Sequence, residues 1–195
     1  MSDRFNKRKS DVLSKEDKSF KSCWDKRITS LCKKINSLDN YYTTSSCSGR
    51  VVLMIDKNKK QPNLFVIVYH DLISFEQLKK DLNIIIKKNK ELIKFKMESC
   101  ALHVACRSLK DAQDLYDKAK LAGWKRSGII ASNKRFMVEL NSTEKLEFPI
   151  INKNKILVND EFLRMIIKDS NKKLKKCWKK IMKLEKELIN LYSKI

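Results

Sequence analysis

The residues best suited to chemistry stand together early in the chain. Thr43, Thr44, Ser45, Ser46, Cys47, Ser48, Gly49 and Arg50 lie between the aromatic pair Tyr41-Tyr42 and the apolar run Val51–Ile55. Small hydroxyls contribute little packing energy, so a run of them leading straight into a strand lines a site or cradles an anion. The competing reading is an ordinary Ser/Thr-rich turn. Arg50 adds a planar fork that takes a carboxylate or phosphate through two parallel hydrogen bonds. If the run continues the following strand, Ser46, Ser48 and Arg50 share one face and Ser45, Cys47 and Gly49 the other. The first set is then expected to face a ligand, with Cys47 structural.

A second cluster, Cys100-x-x-His103-x-x-Cys106, has the outward form of a metal site. On a strand, however, Cys100 and Cys106 share a face with Leu102 and Val104, while His103 points the other way with Ala101 and Ala105. Ligands on opposite faces cannot converge on one ion, so no metal is expected. The same alternation puts His103 on a face otherwise made of alanines, where space is left for a ligand. The alternative is a hydrogen-bonded structural histidine. Gly49, Gly123 and Gly128 are the three glycines of the chain, and no two are spaced for a Rossmann turn or a phosphate-binding loop. A nucleotide-like ligand would have to bind on some other architecture.

The elements that must position these residues follow from periodicity. Trp24, Ile28, Leu31, Ile35 and Leu38 fall on one face of a helix that ends just before the Ser/Thr run. Val51–Ile55 and 63–70 read as paired strands. The second is apolar on both sides and is expected to lie centrally in a sheet, with His70 at its end. Ser74 with Gln77 opens a helix carrying Phe75, Leu78, Leu82 and Ile85. Strands over 92–97 and 100–106 follow, then a helix capped by Ser108 and Asp111 whose small buried face, Ala112, Leu115, Ala119 and Ala122, ends at Gly123. A hairpin, 127–131 with 135–140, precedes a strand over 146–150, where Pro149 argues for a sheet edge. From Leu163 onward the spacing of Ile167, Ser170, Leu174, Cys177, Ile181, Leu184, Leu188, Leu191 and Ile195 predicts one long amphipathic helix with lysines on its outer faces. The expected fold is α+β: a mixed sheet with short flanking helices, not a Rossmann fold, plus a long C-terminal amphipathic helix. It is read as a single domain over 1–195. A basic segment and helix occupy 5–40, an α+β core 41–150, and a strand with the long basic helix 156–195.

Bulk properties narrow the partners. With 44 Lys+Arg against 23 Asp+Glu, the chain carries a formal charge of +21, which calls for a polyanion, nucleic acid first and an anionic membrane surface second. No apolar stretch approaches the ~20 residues needed to span a bilayer, and Met1–Ser10 lacks the apolar core of a signal peptide, so a cytoplasmic protein is expected. The six cysteines contain no C-x-x-C pair and read as reduced thiols.

In order along the chain, Ser45-Ser46-Cys47-Ser48-Gly49-Arg50, Leu102-His103-Val104-x-Cys106, the block from Asp111-Ala112 through Gly123-Trp124-x-x-Ser127-Gly128-Ile129, and Leu146-Glu147-x-Pro149 resemble a wybutosine-synthesis family, called TYW3 in eukaryotes and Taw3 in archaea. The similarity continues upstream to Leu13-Ser14-Lys15-x-Asp17-x-Ser19-x-Lys21 and Asp25, and downstream to Lys155–Val158. Ser22 stands where the family usually has glycine and Ser99 where it has proline. Both departures touch backbone geometry rather than a charged or proton-transferring group.

The resemblance implies a methyltransferase that uses S-adenosylmethionine on phenylalanine tRNA. It would methylate a ring nitrogen, N4, of the tricyclic guanosine derivative beside the anticodon. On that footing Ser45, Ser46, Ser48, Gly49 and Arg50 are expected at the cofactor, with Arg50 holding a carboxylate or phosphate. His103 is the first candidate for proton acceptor, followed by Glu98, with His70 in the same site. Lys15, Lys21, Lys172 and Lys176 would hold tRNA phosphates. The alternative function is a noncatalytic RNA-binding protein.

Overall fold

The computed structural model describes residues 4–15, 25–57, 63–132 and 135–189, and all that follows concerns these. Lys21 and Ser22 lie outside them, as do Trp24, Leu191 and Ile195 of the two expected helical stripes. In order the elements are α1 (Arg4–Leu13), α2 (Thr29–Asn36), β1 (Tyr41–Cys47), β2 (Arg50–Ile55), β3 (Phe65–Tyr69), α3 (Phe75–Lys88), β4 (Ile93–Glu98), β5 (Ala101–Cys106), α4 (Leu109–Leu121), β6 (Gly128–Ser132), β7 (Arg135–Asn141), β8 (Leu146–Asn152), β9 (Lys155–Ile156) and α5 (Asp160–Ile189). The class is α+β, the terminal helix is long and unbroken, and the strands sort into two sheets in which every pairing is antiparallel.

The chain divides into two compact units, one of Met1–Ser48, Cys100–Thr143 and Cys177–Ile195, the other of Gly49–Ser99 and Glu144–Lys176. The first holds a four-stranded sheet in the order β1-β5-β7-β6. One face is apolar: Leu102, Val104, Val138 and Leu140 are fully buried, together with Leu31, Cys32 and Ile35 of α2 and Ala112, Leu115 and Ala119 of α4. Alanines on α4 allow its backbone close approach to the sheet. Ser108 and Asp111 close a reciprocal capping box at its start. At its end Gly123 takes φ +94°, a left-handed position that costs a residue with a Cβ roughly 1–2 kcal/mol. The last turns of α5 complete this core through Cys177, Ile181, Leu184 and Leu188, and the carbonyl of Lys180 accepts a hydrogen bond from the indole N–H of buried Trp124 at 3.2 Å.

The second unit holds a five-stranded sheet in the order β3-β2-β4-β8-β9. Val51, Leu53, Ile93, Phe95 and Met97 are fully buried, as are Leu78 and Leu82 of α3 and Leu163 and Leu174 of α5. Phe95 stacks on Phe148 at 5.2 Å between ring centres, and Phe148 meets Phe162 edge-on at 5.5 Å.

Two expectations about sheet position are corrected. β3 is an edge strand, not a central one: Phe65 is 48% exposed, and the two-sided apolar pattern reflects side-chain packing rather than pairing on both sides. β8 lies between β4 and β9, although Pro149 suggested an edge. The proline is tolerated because β9 pairs only with Ile151 and Asn152, and because the β4–β8 register shifts next to Lys94, the partner of Pro149. No described helix is long and apolar enough to cross a membrane.

Candidate active site

The Ser/Thr run does not continue one strand. β1 ends at Cys47, β2 begins at Arg50, and between them Gly49 takes φ +96°. Within β1 the pairing with β5 also slips, from Thr43 opposite Val104 to Ser45 opposite His103, so Thr44 is the extra residue of a β-bulge. Ser45 and Cys47 share a face opposite to Ser46, as the alternation predicts, but it is their face, not that of Ser46, that meets His103. Ser45 and Cys47 lie on the face of His103 and Ala101, and Ser46 lies opposite Leu102 on the face that builds the core.

The consequence is a direct contact. Ser45 Oγ is 2.8 Å from His103 Nδ1, and Thr44 Oγ1 donates to the His103 carbonyl at 3.3 Å. On its other side His103 faces Glu139 of β7, with Nε2 3.6 Å from Oε1. Asn141 Nδ2 donates to that same carboxylate oxygen at 2.9 Å. Gly128 of β6 stands opposite Glu139, and nothing lies within 4 Å of where its Cβ would be. A row across all four strands, Ser45, His103, Glu139 and Gly128, therefore runs over a sheet face kept low by Ala101 and Gly128, while Ala105, the other alanine flanking His103, is buried.

The inner hydroxyls are spoken for. Ser48 is fully buried and donates its hydroxyl to Asp25, whose Oδ2 also lies 3.3 Å from the Ser48 amide nitrogen. The Ser46 hydroxyl bonds to Cys32, whose thiol is pushed up to about 11 mainly by burial. Burial likewise pushes the Cys106 thiol up to about 12, with the Asp111 charge adding to it. Both are packing groups rather than nucleophiles.

In the second unit Arg50 and Glu98 are cross-strand partners on β2 and β4, joined by Arg50 Nε and Glu98 Oε2 at 2.7 Å. The Arg50 guanidinium carbon sits 4.8 Å from the centre of the exposed Phe65 ring. Its terminal nitrogens remain a fork for an anion, and Glu98 brings a negative charge beside it. His70 follows β3 directly and is half-buried. Lys15 is exposed after α1, and Lys172 and Lys176 are exposed on α5. Among the described residues no cluster of three or more His, Cys, Asp or Glu side chains is arranged to hold a metal.

The fold thus brings Ser45 to His103 and Arg50 to Glu98, each pair within its own unit. Glu139, Asn141 and the anchoring part of Asp25 were not legible as site residues beforehand. Glu139 and Asn141 do alternate with Val138 and Leu140, which marks a polar face, but only the strand order puts that face beside His103.

A family model described as "Methyltransferase TYW3" matches residues 7–190. The chain belongs to the methyltransferase TYW3 family. Its relatives include a Thermococcus sibiricus protein named tRNA(Phe) 7-((3-amino-3-carboxypropyl)-4-demethylwyosine(37)-N(4))-methyltransferase, 35% identical over 187 residues that cover 94% of this chain and 93% of that one. The human tRNA wybutosine-synthesizing protein 3 homolog is 33% identical over 207 residues, covering 98% of this chain and 78% of its own. Among solved structures, a Pyrococcus horikoshii protein superposes with a TM-score of 0.84 at 31% identity, over 94% of this chain and 95% of that one. An Aeropyrum pernix protein, at 23% identity and a TM-score of 0.71, covers 84% of this chain and 96% of its own, and shares the fold. The TYW3 match runs through parts of both units, and the motifs that suggested the family supply Ser45, His103 and Arg50.

Proposed function

We propose that this chain transfers a methyl group from S-adenosylmethionine to N4 of the tricyclic wybutosine precursor beside the anticodon of phenylalanine tRNA, working in the cytoplasm as a single TYW3-like domain. The observation that carries the reading is the exposed Ser45 hydroxyl held on His103 by a hydrogen bond, within a chain that matches the TYW3 family from residue 7 to 190. Relatives of that family carry the demethylwyosine N(4)-methyltransferase name.

The donor supplies an electrophilic methyl group on a sulfonium, so the protein has little covalent work to do: it must align the reacting atoms and remove a proton from the ring nitrogen. His103 with Ser45 offers the proton acceptor on an open sheet face. Arg50 and Glu98 suit the amino-acid end of the donor, since a guanidinium fork matches its carboxylate and a carboxylate matches its ammonium. Gly49 and the buried Ser48 shape the backbone leading into Arg50. Exposed Lys15, Lys172 and Lys176, and Lys21 from sequence, fit RNA phosphates without reading bases.

The test incubates purified protein with labelled S-adenosylmethionine and phenylalanine tRNA carrying the unmethylated precursor. Label should appear in the tricyclic base. No transfer to correctly modified tRNA, with RNA binding indifferent to the donor, would show the protein to be a noncatalytic RNA binder.

A further inference from the structure

The two ring nitrogens of His103 have different neighbours, and that difference bears on which one carries hydrogen. A carboxylate only accepts hydrogen bonds, so the Nε2 edge that faces Glu139 Oε1 at 3.6 Å favours a hydrogen there and not a lone pair. The Asn141 side chain holds that carboxylate oxygen in place at 2.9 Å. Nδ1 is then the acceptor, and at 2.8 Å it takes the hydrogen of the Ser45 hydroxyl. The imidazole lone pair is thus already engaged, and the group at the open end of the row is Ser45 Oγ, on an exposed residue of β1.

We propose that Ser45, His103 and Glu139 form a proton relay, with Ser45 Oγ as the atom that meets the substrate and Glu139 as the positioning residue that sets the His103 tautomer. The inference rests on the methyltransferase reading given above. In the step, the N–H bond of the substrate ring nitrogen breaks and its proton forms a bond to Ser45 Oγ. The original hydroxyl proton of Ser45 passes to His103 Nδ1 at the same time. The electron pair stays on the substrate nitrogen, the serine ends as it began, and the ring becomes an imidazolium. Its Nε2–H faces a carboxylate, so the new positive charge is met by an opposite one within ion-pair distance. Glu139 keeps to this role because it faces the ring at Nε2, on the side away from the Nδ1 that Ser45 holds.

The experiment reads the tautomer and the rate separately. The chain has two histidines, so long-range proton–nitrogen spectra of the full-length 15N-labelled protein contain two rings, assigned by comparison with His70→Gln. His103 should show hydrogen on Nε2 in the unsubstituted chain, and a mixture of tautomers in Glu139→Ala. In methyl-transfer assays Glu139→Gln should lower kcat about tenfold and Ser45→Ala about 100-fold, the lower end of what a positioned proton acceptor contributes, with KM for tRNA and donor unchanged. An active chain whose His103 carries its hydrogen on Nδ1, or whose E139Q variant keeps full kcat, overturns the relay alone. Absence of transfer by the unsubstituted chain overturns the relay and the methyltransferase reading together.

Discussion

Replacing Ser48 by alanine separates two roles that a hydroxyl in this position could have. Ser48 is 0% exposed, and both its hydroxyl and its amide nitrogen address the same Asp25 oxygen. A hydrogen bond to a charged acceptor contributes about 1.5–3 kcal/mol, and Ser48→Ala removes one while leaving almost no cavity. For a chain of this size each kcal/mol moves Tm by roughly 2–4 °C, so the variant should melt about 3–12 °C lower. Asp25→Asn should recover only part of the interaction. The double variant should fall short of additivity by about 0.5–3 kcal/mol, the mark of two groups in contact. Below the transition the folded variant should bind S-adenosylmethionine as the unsubstituted chain does, measured by calorimetric titration. An unchanged Tm combined with donor binding lost tenfold or more would refute the anchoring argument, and would make the Ser48 hydroxyl a ligand group.

Arg50→Lys keeps the charge but loses the planar fork and its Nε contact with Glu98, so donor affinity should fall about tenfold or more, read in the same titration. Cys32 and Cys106 ionise at about 11 and 12 in the folded chain against 9.0 when free, so the stability they contribute is complete below pH 9 and is lost as pH rises above it. At pH 10 the loss is about 1.4 kcal/mol for each thiol. Urea unfolding between pH 8 and 10 should show this slope, flattened when both residues are alanine. Lys172→Ala and Lys176→Ala should each lower the slope of log binding constant against log salt for tRNA by about 0.7–0.9, without changing preference among RNA sequences.

Much of this fold is written in local signals. The caps at Ser74 and Ser108, the left-handed Gly123 and the long stripe of α5 depend on residues within a few positions of one another, and each forms where its residues indicate. Properties that depend on distant pairing were harder to read. Whether β3 lies inside a sheet is decided by which strands lie beside it, and an apolar residue reports only burial. His103 could be singled out because its alanine neighbours are adjacent in sequence. Glu139, 36 positions later, joins it only through the register of β5 with β7. The faces of the Ser/Thr run were misjudged because it was read as one strand with Arg50, whereas Gly49 at φ +96° parts β1 from β2; the extra residue Thr44, which sets Ser45 opposite His103, carries no compositional mark either.

That extra residue makes chain length itself a determinant of the site. With Thr44 counted out of the ladder, Ser45 meets His103. Deleting one residue between Tyr42 and Ser45 would restore a regular ladder while the turn at Gly49 held Cys47 in place, whereas deleting one after Ser45 would turn the hydroxyl toward the core. Two shortenings of equal size and nearly equal composition would thus have opposite effects, and a substitution scan along the same stretch would reveal neither. The segment behaves like a reading frame, in which the information lies in the count of residues as much as in their identity.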